Sequence, residues 1–258
     1  MAVVCLDDVD RAVRAVHLAK ESGLKGVMLP SYWGTEGIPP YLDGCYEPFW
    51  AACADAEMPL NVHGGASAGD IDMTTYGMSA MLTFATETTF LSTRPLTQLI
   101  WGGAFERHPR LSFVLTESRA DWVPSRLAFL DAVYDDQLFA HVRETVKHKP
   151  SEYWQRQCYV AASFMSRDEA LKRHDIGLDR LMWGADYPHY EGTWPNTDRW
   201  LNEAFGQLPV ADVTAILAEN PARVFGFDLH ALSAYAEKVG PSTEELARYE
   251  PAGKLWRW

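Results

Sequence analysis

Six short apolar runs punctuate this chain, and segments of helical period separate most of them. The runs are "MAVVCL" (1–6), "GVMLP" (26–30), "PLNVHGG" (59–65), "LSFVLTES" (111–118), "QCYVAASF" (157–164) and "RLMWGA" (180–185). Near-continuous apolar runs mark strands buried on both faces, and their alternation with helices favours parallel strands covered by helices. The expectation is one α/β domain over 1–258, built on six strands as a barrel or an open doubly wound sheet. Neither G-x-G-x-x-G nor G-x-x-x-x-G-K-[ST] occurs, so the nucleotide-binding versions of the open sheet lose ground.

The segments between the runs carry helix signals. In "DDVDRAVRAVHLAKESG", Val9, Val13 and Val16 fall at helical spacing and Gly23 follows as a stop. "EPFWAACADAEM" reads as a helix, and residues 70–108 read as two helices and their connection. "DWVPSRLAFLDAVYDD" places Pro124 near a helix start. Ser166 and Glu169 form a Ser-x-x-Glu capping box, and Ser242 and Glu245 form another in a helical tail over 229–258. "PVADVTAILAENPARVFGF" reads as one or two helices before that tail.

Composition narrows the partners. A hydrophobic fraction of 47% over 258 residues supports a sizeable core, whereas the net charge of −12 repels nucleic acid and anionic membranes. No apolar run reaches the length of a membrane span, and "MAVVCLDDVD" does not read as a signal peptide. The four cysteines, at 5, 45, 53 and 158, include no C-x-x-C pair, so they read as reduced thiols of a cytoplasmic protein. Cys5 and Cys158 lie inside apolar runs and are expected in the core.

In parallel α/β folds, chemistry sits beyond the carboxyl ends of the strands. Pro30 and Ser31 follow the second run, His63 ends the third and Glu117 ends the fourth. Ser163 and Phe164 end the fifth, and Asp186 with His189 follows the sixth. An imidazole and two carboxylates at three strand ends suit a divalent transition metal such as zinc, manganese or iron. Each member also has a plainer reading: His63 bonding a loop carbonyl, Glu117 pairing with Arg119, Asp186 accepting turn amides, His189 turned outward. No G-x-S-x-G elbow supports a serine nucleophile.

"PLNVHGG", "ERHPRLSFVLTES…DWVP", "RLMWGADYPHYEGTWP" and "ENPARVFGF" resemble, in order, the second half of the amidohydrolase-related family. That branch includes aminocarboxymuconate-semialdehyde decarboxylase and related metal-dependent hydrolases and decarboxylases. The resemblance runs from residue 1 to about 228 and implies a distorted (β/α)₈ barrel with a divalent metal, zinc first, at the strand ends. It assigns His63 and Asp186 as metal ligands, Glu117 as a third ligand or catalytic carboxylate, and His189 as a further pocket residue. In hydrolytic members the aspartate also takes a proton from the attacking water. Glu117 stands where the family's decarboxylases carry a histidine, which favours hydrolysis of a small organic substrate over decarboxylation of a small carboxylic acid.

The family's first strand carries an H-x-H, and none of the eight histidines here lies two residues from another. Matched to the family, "MAVVCL" is the third strand. The resemblance therefore implies an incomplete barrel of six strands out of eight, most simply part of a longer enzyme. A natural short form, a form completed by another chain and a non-catalytic interaction module are the rivals. Unpaired strand edges would then favour a homo-oligomer.

Overall fold

The computed structural model describes residues 1–31, 37–63 and 71–248. Six strands appear where the apolar runs placed them: β1 (Ala2–Val3), β2 (Val27–Leu29), β3 (Leu60–His63), β4 (Phe113–Thr116), β5 (Cys158–Ser163) and β6 (Leu181–Gly184). Between and after them run α1 (Val9–Glu21), α2 (Glu47–Asp55), α3 (Met73–Trp101), α4 (Ala104–Arg107), α5 (Val123–Asp135) and α6 (Pro150–Gln157). They are followed by α7 (Arg167–Leu171), α8 (Arg173–Ile176), α9 (Thr197–Phe205), α10 (Val210–Thr214), α11 (Asn220–Phe225), α12 (Leu229–Val239) and α13 (Thr243–Ala247). No helix among the described residues is long and apolar enough to cross a membrane.

The chain divides into two compact units, 1–118 with 125–159, and 119–124 with 160–258. In the first, β1 to β4 pair in parallel and in chain order, so each crossover is the helical segment that the sequence pattern anticipates. The register sets His63 opposite Thr116, one residue before Glu117. β2, β3 and β4 are apolar and mostly buried, as strands covered on both faces must be. β1 departs from that pattern: it is two residues long, and Val3 is 85% exposed. Cys5, just past it, is exposed, which corrects its expected place in the core; Cys158, inside β5, is buried. Exposure alternates along this run, with Val3 and Cys5 exposed and Val4 and Leu6 buried, so Cys5 falls on the uncovered face of the edge segment.

Local chemistry explains the helix ends. Asp8 caps α1 by accepting from the Arg11 amide at 2.8 Å, and Gly23 takes the left-handed conformation that stops it, at φ +78°. Ala12, Val16 and Ala19 form its buried stripe. The Ser166–Glu169 capping box is present at α7, but the helical segment breaks at Lys172 before α8. Glu169 is buried and also accepts from the Ala120 amide at 2.7 Å, so the cap ties α7 to the segment after β4 within the second unit. Asn220 of the "ENPAR" motif is buried and donates to the carbonyls of Leu178 and Leu181, both at 2.8 Å, pinning α11 to the start of β6. α6 and α9 fall in stretches where the pattern suggested no helix; α6 nevertheless opens with Pro150 and with Glu152 accepting from the Lys149 amide at 2.7 Å, whereas α9 has no side-chain cap.

Candidate active site

Three consecutive strands end on a residue held in the left-handed backbone region. Glu117 follows β4 directly with φ +53°, Phe164 follows β5 with φ +53°, and Asp186 stands two residues beyond β6 with φ +55°. For non-glycine residues this conformation costs about 1–2 kcal/mol each. Among the described residues the other two such, Glu57 and Gln207, sit just past the ends of α2 and α9, where a left-handed residue is a usual way to stop a helix. At a strand end no such termination requires it. Strain of this kind concentrates where the chain must aim a side chain.

In the first unit, the geometry brings His63 and Glu117 together. Nε2 of His63 is in direct hydrogen-bond contact with Oε2 of Glu117, and both side chains are about a third exposed (32% and 27%). The two residues are 54 apart in sequence. Parallel pairing of β3 with β4 makes them neighbours, because Glu117 is the next residue after His63's cross-strand partner. The pairing of Glu117 with Arg119 weighed from sequence gives way to this contact. Arg119 instead bonds Asp121 at 3.0 and 3.1 Å.

Beneath the pair lies a residue that the sequence reading passed over. Asn61 shares a face of β3 with His63, two residues earlier, and is fully buried. Its amide donates to the carbonyls of Pro59 (2.9 Å) and Val27 (3.3 Å), and its oxygen accepts from Thr116 Oγ1 at 3.4 Å. Asn61 thus ties β2, β3 and β4 together one layer below the His63–Glu117 contact. A Cβ on Gly26 would come within 2.7 Å of the Asn61 amide nitrogen, so glycine there leaves the room that the amide needs. The available signal was an asparagine inside the run "PLNVH": a polar side chain in a buried strand must find partners.

In the second unit, Asp186 opens the turn "DYPHYEGT". The Asp186 carbonyl accepts from the His189 amide at 2.9 Å, the His189 carbonyl from the Gly192 amide at 2.9 Å, and the Ala185 carbonyl from the Thr193 amide at 3.0 Å. A Cβ on Gly192 would meet the carbonyl oxygens of Asp186, His189 and Ala185 at 2.7, 2.9 and 3.0 Å. Only glycine lets the chain close this tightly. His189 Nδ1 lies 3.1 Å from Asp186 Oδ2, with the imidazole half exposed and the carboxylate mostly covered. Tyr187, Tyr190 and Trp194 of the same turn are exposed. Asp186 and His189 therefore face each other, and His189 is neither isolated nor turned away.

A second histidine–carboxylate contact in the first unit shows what a structural version looks like. Glu47 at the start of α2 meets His108 Nε2 at 2.8 Å and Arg107 Nε at 3.0 Å. Burial pushes the Glu47 carboxyl up, but the bonds from Arg107 and His108 outweigh it and leave the group below the usual carboxylate range. An arginine that fixes the charge, and a place on a helix rather than at a strand end, separate this cluster from His63–Glu117.

The donor types at His63 and Glu117 suit a divalent metal, but their arrangement fits one incompletely. A metal at about 2.0–2.2 Å from each donor stands between them and keeps them roughly 3 Å apart. Here the two atoms bond each other directly. Among the described residues, no group of three or more His, Cys, Asp or Glu side chains converges as a metal site does. As arranged, the two groups are hydrogen-bonded to each other.

The family profile named Amidohydrolase matches residues 1–227. No curated protein matches the chain. Among solved structures, an amidohydrolase from Mycobacterium avium subsp. paratuberculosis K-10 superposes with TM-score 0.66 at 23% identity, covering 87% of this chain and 57% of that one. 5-Carboxyvanillate decarboxylase from Sphingomonas paucimobilis gives TM-score 0.68 at 24% identity, over 88% of this chain and 66% of its own. A dihydroxybenzoic acid decarboxylase from Polaromonas sp. JS666, with bound manganese and the inhibitor 2-nitroresorcinol, gives 0.67 at 19%, over 94% and 69%. The chain thus spans between about half and two thirds of these proteins, and at such identities the likeness is one of fold: parallel strands alternating with helices. With seven-eighths of its length matched by the profile, the chain belongs to the amidohydrolase family.

Proposed function

We propose that this chain is an amidohydrolase-type hydrolase of a small organic substrate, in which the His63–Glu117 pair moves the proton of the attacking water. The observation that carries the reading is the direct imidazole–carboxylate contact at two neighbouring strand ends, with Glu117 held in left-handed backbone. The imidazole, with Glu117 bonded to it, is the group that exchanges a proton with water or substrate. Water gives a proton to the imidazole as its oxygen attacks the acyl carbon. The imidazolium so formed is held by the Glu117 carboxylate, and the proton then passes to the leaving group. A positioned base of this kind contributes about 10²–10⁴-fold.

Asp186 and His189 belong to the same proposal as a second carboxylate–imidazole pair, with Asp186 the family's remaining metal ligand. A bound divalent metal supplies Lewis-acid polarisation and an acidified water in sites of this family. Manganese in the Polaromonas protein supports such an ion, and zinc is the alternative. His63 and Glu117 would have to part to take it.

Decarboxylation of a small carboxylic acid is the second reading, supported by the named activities of the Sphingomonas and Polaromonas proteins. Glu117, where the resemblance puts a histidine in decarboxylases, weighs against it. A non-catalytic role is the third. The experiment is a panel of small esters, lactones and amides beside small aromatic acids, each with and without added Mn²⁺ or Zn²⁺. Hydrolysis that falls about 10²–10⁴-fold in His63→Ala and Glu117→Gln is the expected result. CO₂ release from the acids without ester or amide turnover would move the assignment to decarboxylation, and silence under every condition would end the enzymatic reading.

A further inference from the structure

We infer that the N-terminal half of α3 is the surface on which two copies of this chain associate. The 29-residue helix divides into unlike halves. From Leu91 onward it is built into the first unit, with Leu91, Leu96, Leu99 and Ile100 buried. Before that point Tyr76, Met78, Met81, Leu82 and Phe90 are exposed, from 49% to 70%, and Ala80 alone is buried. Gly77 interrupts the helix with φ +52°, so the exposed arm from Met78 is continuous with the buried half. Large apolar side chains grouped on an exposed helix are normally found covered.

Three threonine hydroxyls of the arm are bonded within the helix. Thr83 Oγ1 donates to the Ser79 carbonyl (2.9 Å), Thr86 Oγ1 to Leu82 (3.0 Å) and Thr88 Oγ1 to Phe84 (2.8 Å). Each of these hydroxyls finds its acceptor within the helix, four residues back. Between Asp72 and Arg94 the only charged residue is Glu87.

Charge decides the occupant. With a net charge of −12, two copies repel over most approaches, and a nearly uncharged arm is where they can meet without opposing carboxylates. The same charge disfavours an anionic bilayer surface, and no described helix is long and apolar enough to span one. From residue 78 to 90 the arm extends about 18 Å, and Tyr76 lies just before the break at Gly77. Five large apolar side chains on it expose on the order of 500 Å², against roughly 800 Å² per partner in a standard interface, the remainder being polar rim. An antiparallel two-fold pairing centred near Phe84 sets Met78 against Phe90 and Glu87 against Met81, so the lone carboxylate does not face its mate. The strand edge expected from sequence as the oligomer contact offers only the two-residue β1 in this unit.

The test is sedimentation equilibrium on the full chain from low to high micromolar concentration, with circular dichroism as the check on folding. Met78→Glu and Leu82→Glu add a charge at exposed positions. Val239→Glu does so on α12, another exposed apolar helix. The expected result is a dimer that both α3 variants weaken by about a hundredfold, as at an interface hot spot, and that Val239→Glu leaves intact. A monomer at every concentration, a dimer unmoved by both α3 variants, or binding to neutral phosphatidylcholine vesicles in place of self-association would each overturn the inference.

Discussion

The His63–Glu117 contact and the Asp186 turn both bring an imidazole to a carboxylate beyond a strand end, but they are built by opposite means. His63 and Glu117 lie 54 residues apart and meet only because β3 and β4 pair in one register. Asp186 and His189 lie three residues apart, and the backbone bonds of one turn set their geometry. The first pair is a product of topology, supported from below by Asn61; the second is a product of local sequence, closed by Gly192. The two constructions fail in different ways. Disturbing the sheet register separates His63 from Glu117, and a single methyl group in the turn displaces Asp186.

The sharpest test of this contrast is a double-mutant cycle on activity. If His63 and Glu117 act as one unit, His63→Ala and Glu117→Gln each lower kcat/KM by about 10²–10⁴-fold and the double variant falls no further. His189→Ala, on the half-exposed partner of Asp186, is expected to change kcat/KM by no more than about threefold, because exposed ion pairs contribute little. Losses at 63 and 117 that multiply would mean that the two groups work independently and that their contact is incidental.

Next in size is the turn itself. Gly192→Ala puts a Cβ within 3.0 Å of three carbonyl oxygens, all of them backbone, so the chain and not a side chain has to move. Overpacking of this sort costs about 2–3 kcal/mol, read as a lower urea midpoint at unchanged m-value. The movement also displaces Asp186, so activity should fall even in the folded fraction. An unchanged midpoint would show that the turn has slack and that its glycine is replaceable.

This contrast also explains which parts were legible beforehand. All six strands lie within the apolar runs, because a strand buried on both faces leaves a signal that needs no partner to be read. The caps at Ser166 and Ser242 were legible for the same reason: donor and acceptor lie three residues apart. His63, Glu117 and Asp186 could be placed at strand ends, and the family resemblance named them, but the direct His63–Glu117 bond depends on register, which periodicity does not encode. Cys5 differs from the expectation because an apolar run at a sheet edge is covered on one face only: Val4 and Leu6 are buried, Val3 and Cys5 are not. Asn61 escaped notice because its value lies in three partners, two of them on the neighbouring strands β2 and β4 and far away in sequence.

The smallest effect comes from a long-range contact away from the strand ends, and it asks whether topology-built pairs in the first unit share one behaviour. Tyr153 on α6 is buried; its hydroxyl donates to Glu106 Oε2 at 2.6 Å and accepts from the Lys147 and His148 amides at 3.1 and 3.3 Å. Burial, and then the bond to Glu106, push the phenol up to about 12. The fold therefore favours the protonated form. Its contribution is complete below the unfolded value of about 10 and is lost as pH rises from there toward 12. Tyr153→Phe removes the hydroxyl and leaves its partners to find others, at about 1–2 kcal/mol near neutral pH. The variant should also lose less stability than the parent between pH 10 and 12, so the two urea midpoints converge as the medium becomes alkaline. Midpoints that stay parallel across that range would place the alkaline sensitivity elsewhere. Tyr153 would then be a packing residue whose hydroxyl bonds, unlike the His63–Glu117 contact, have no measurable protonic consequence.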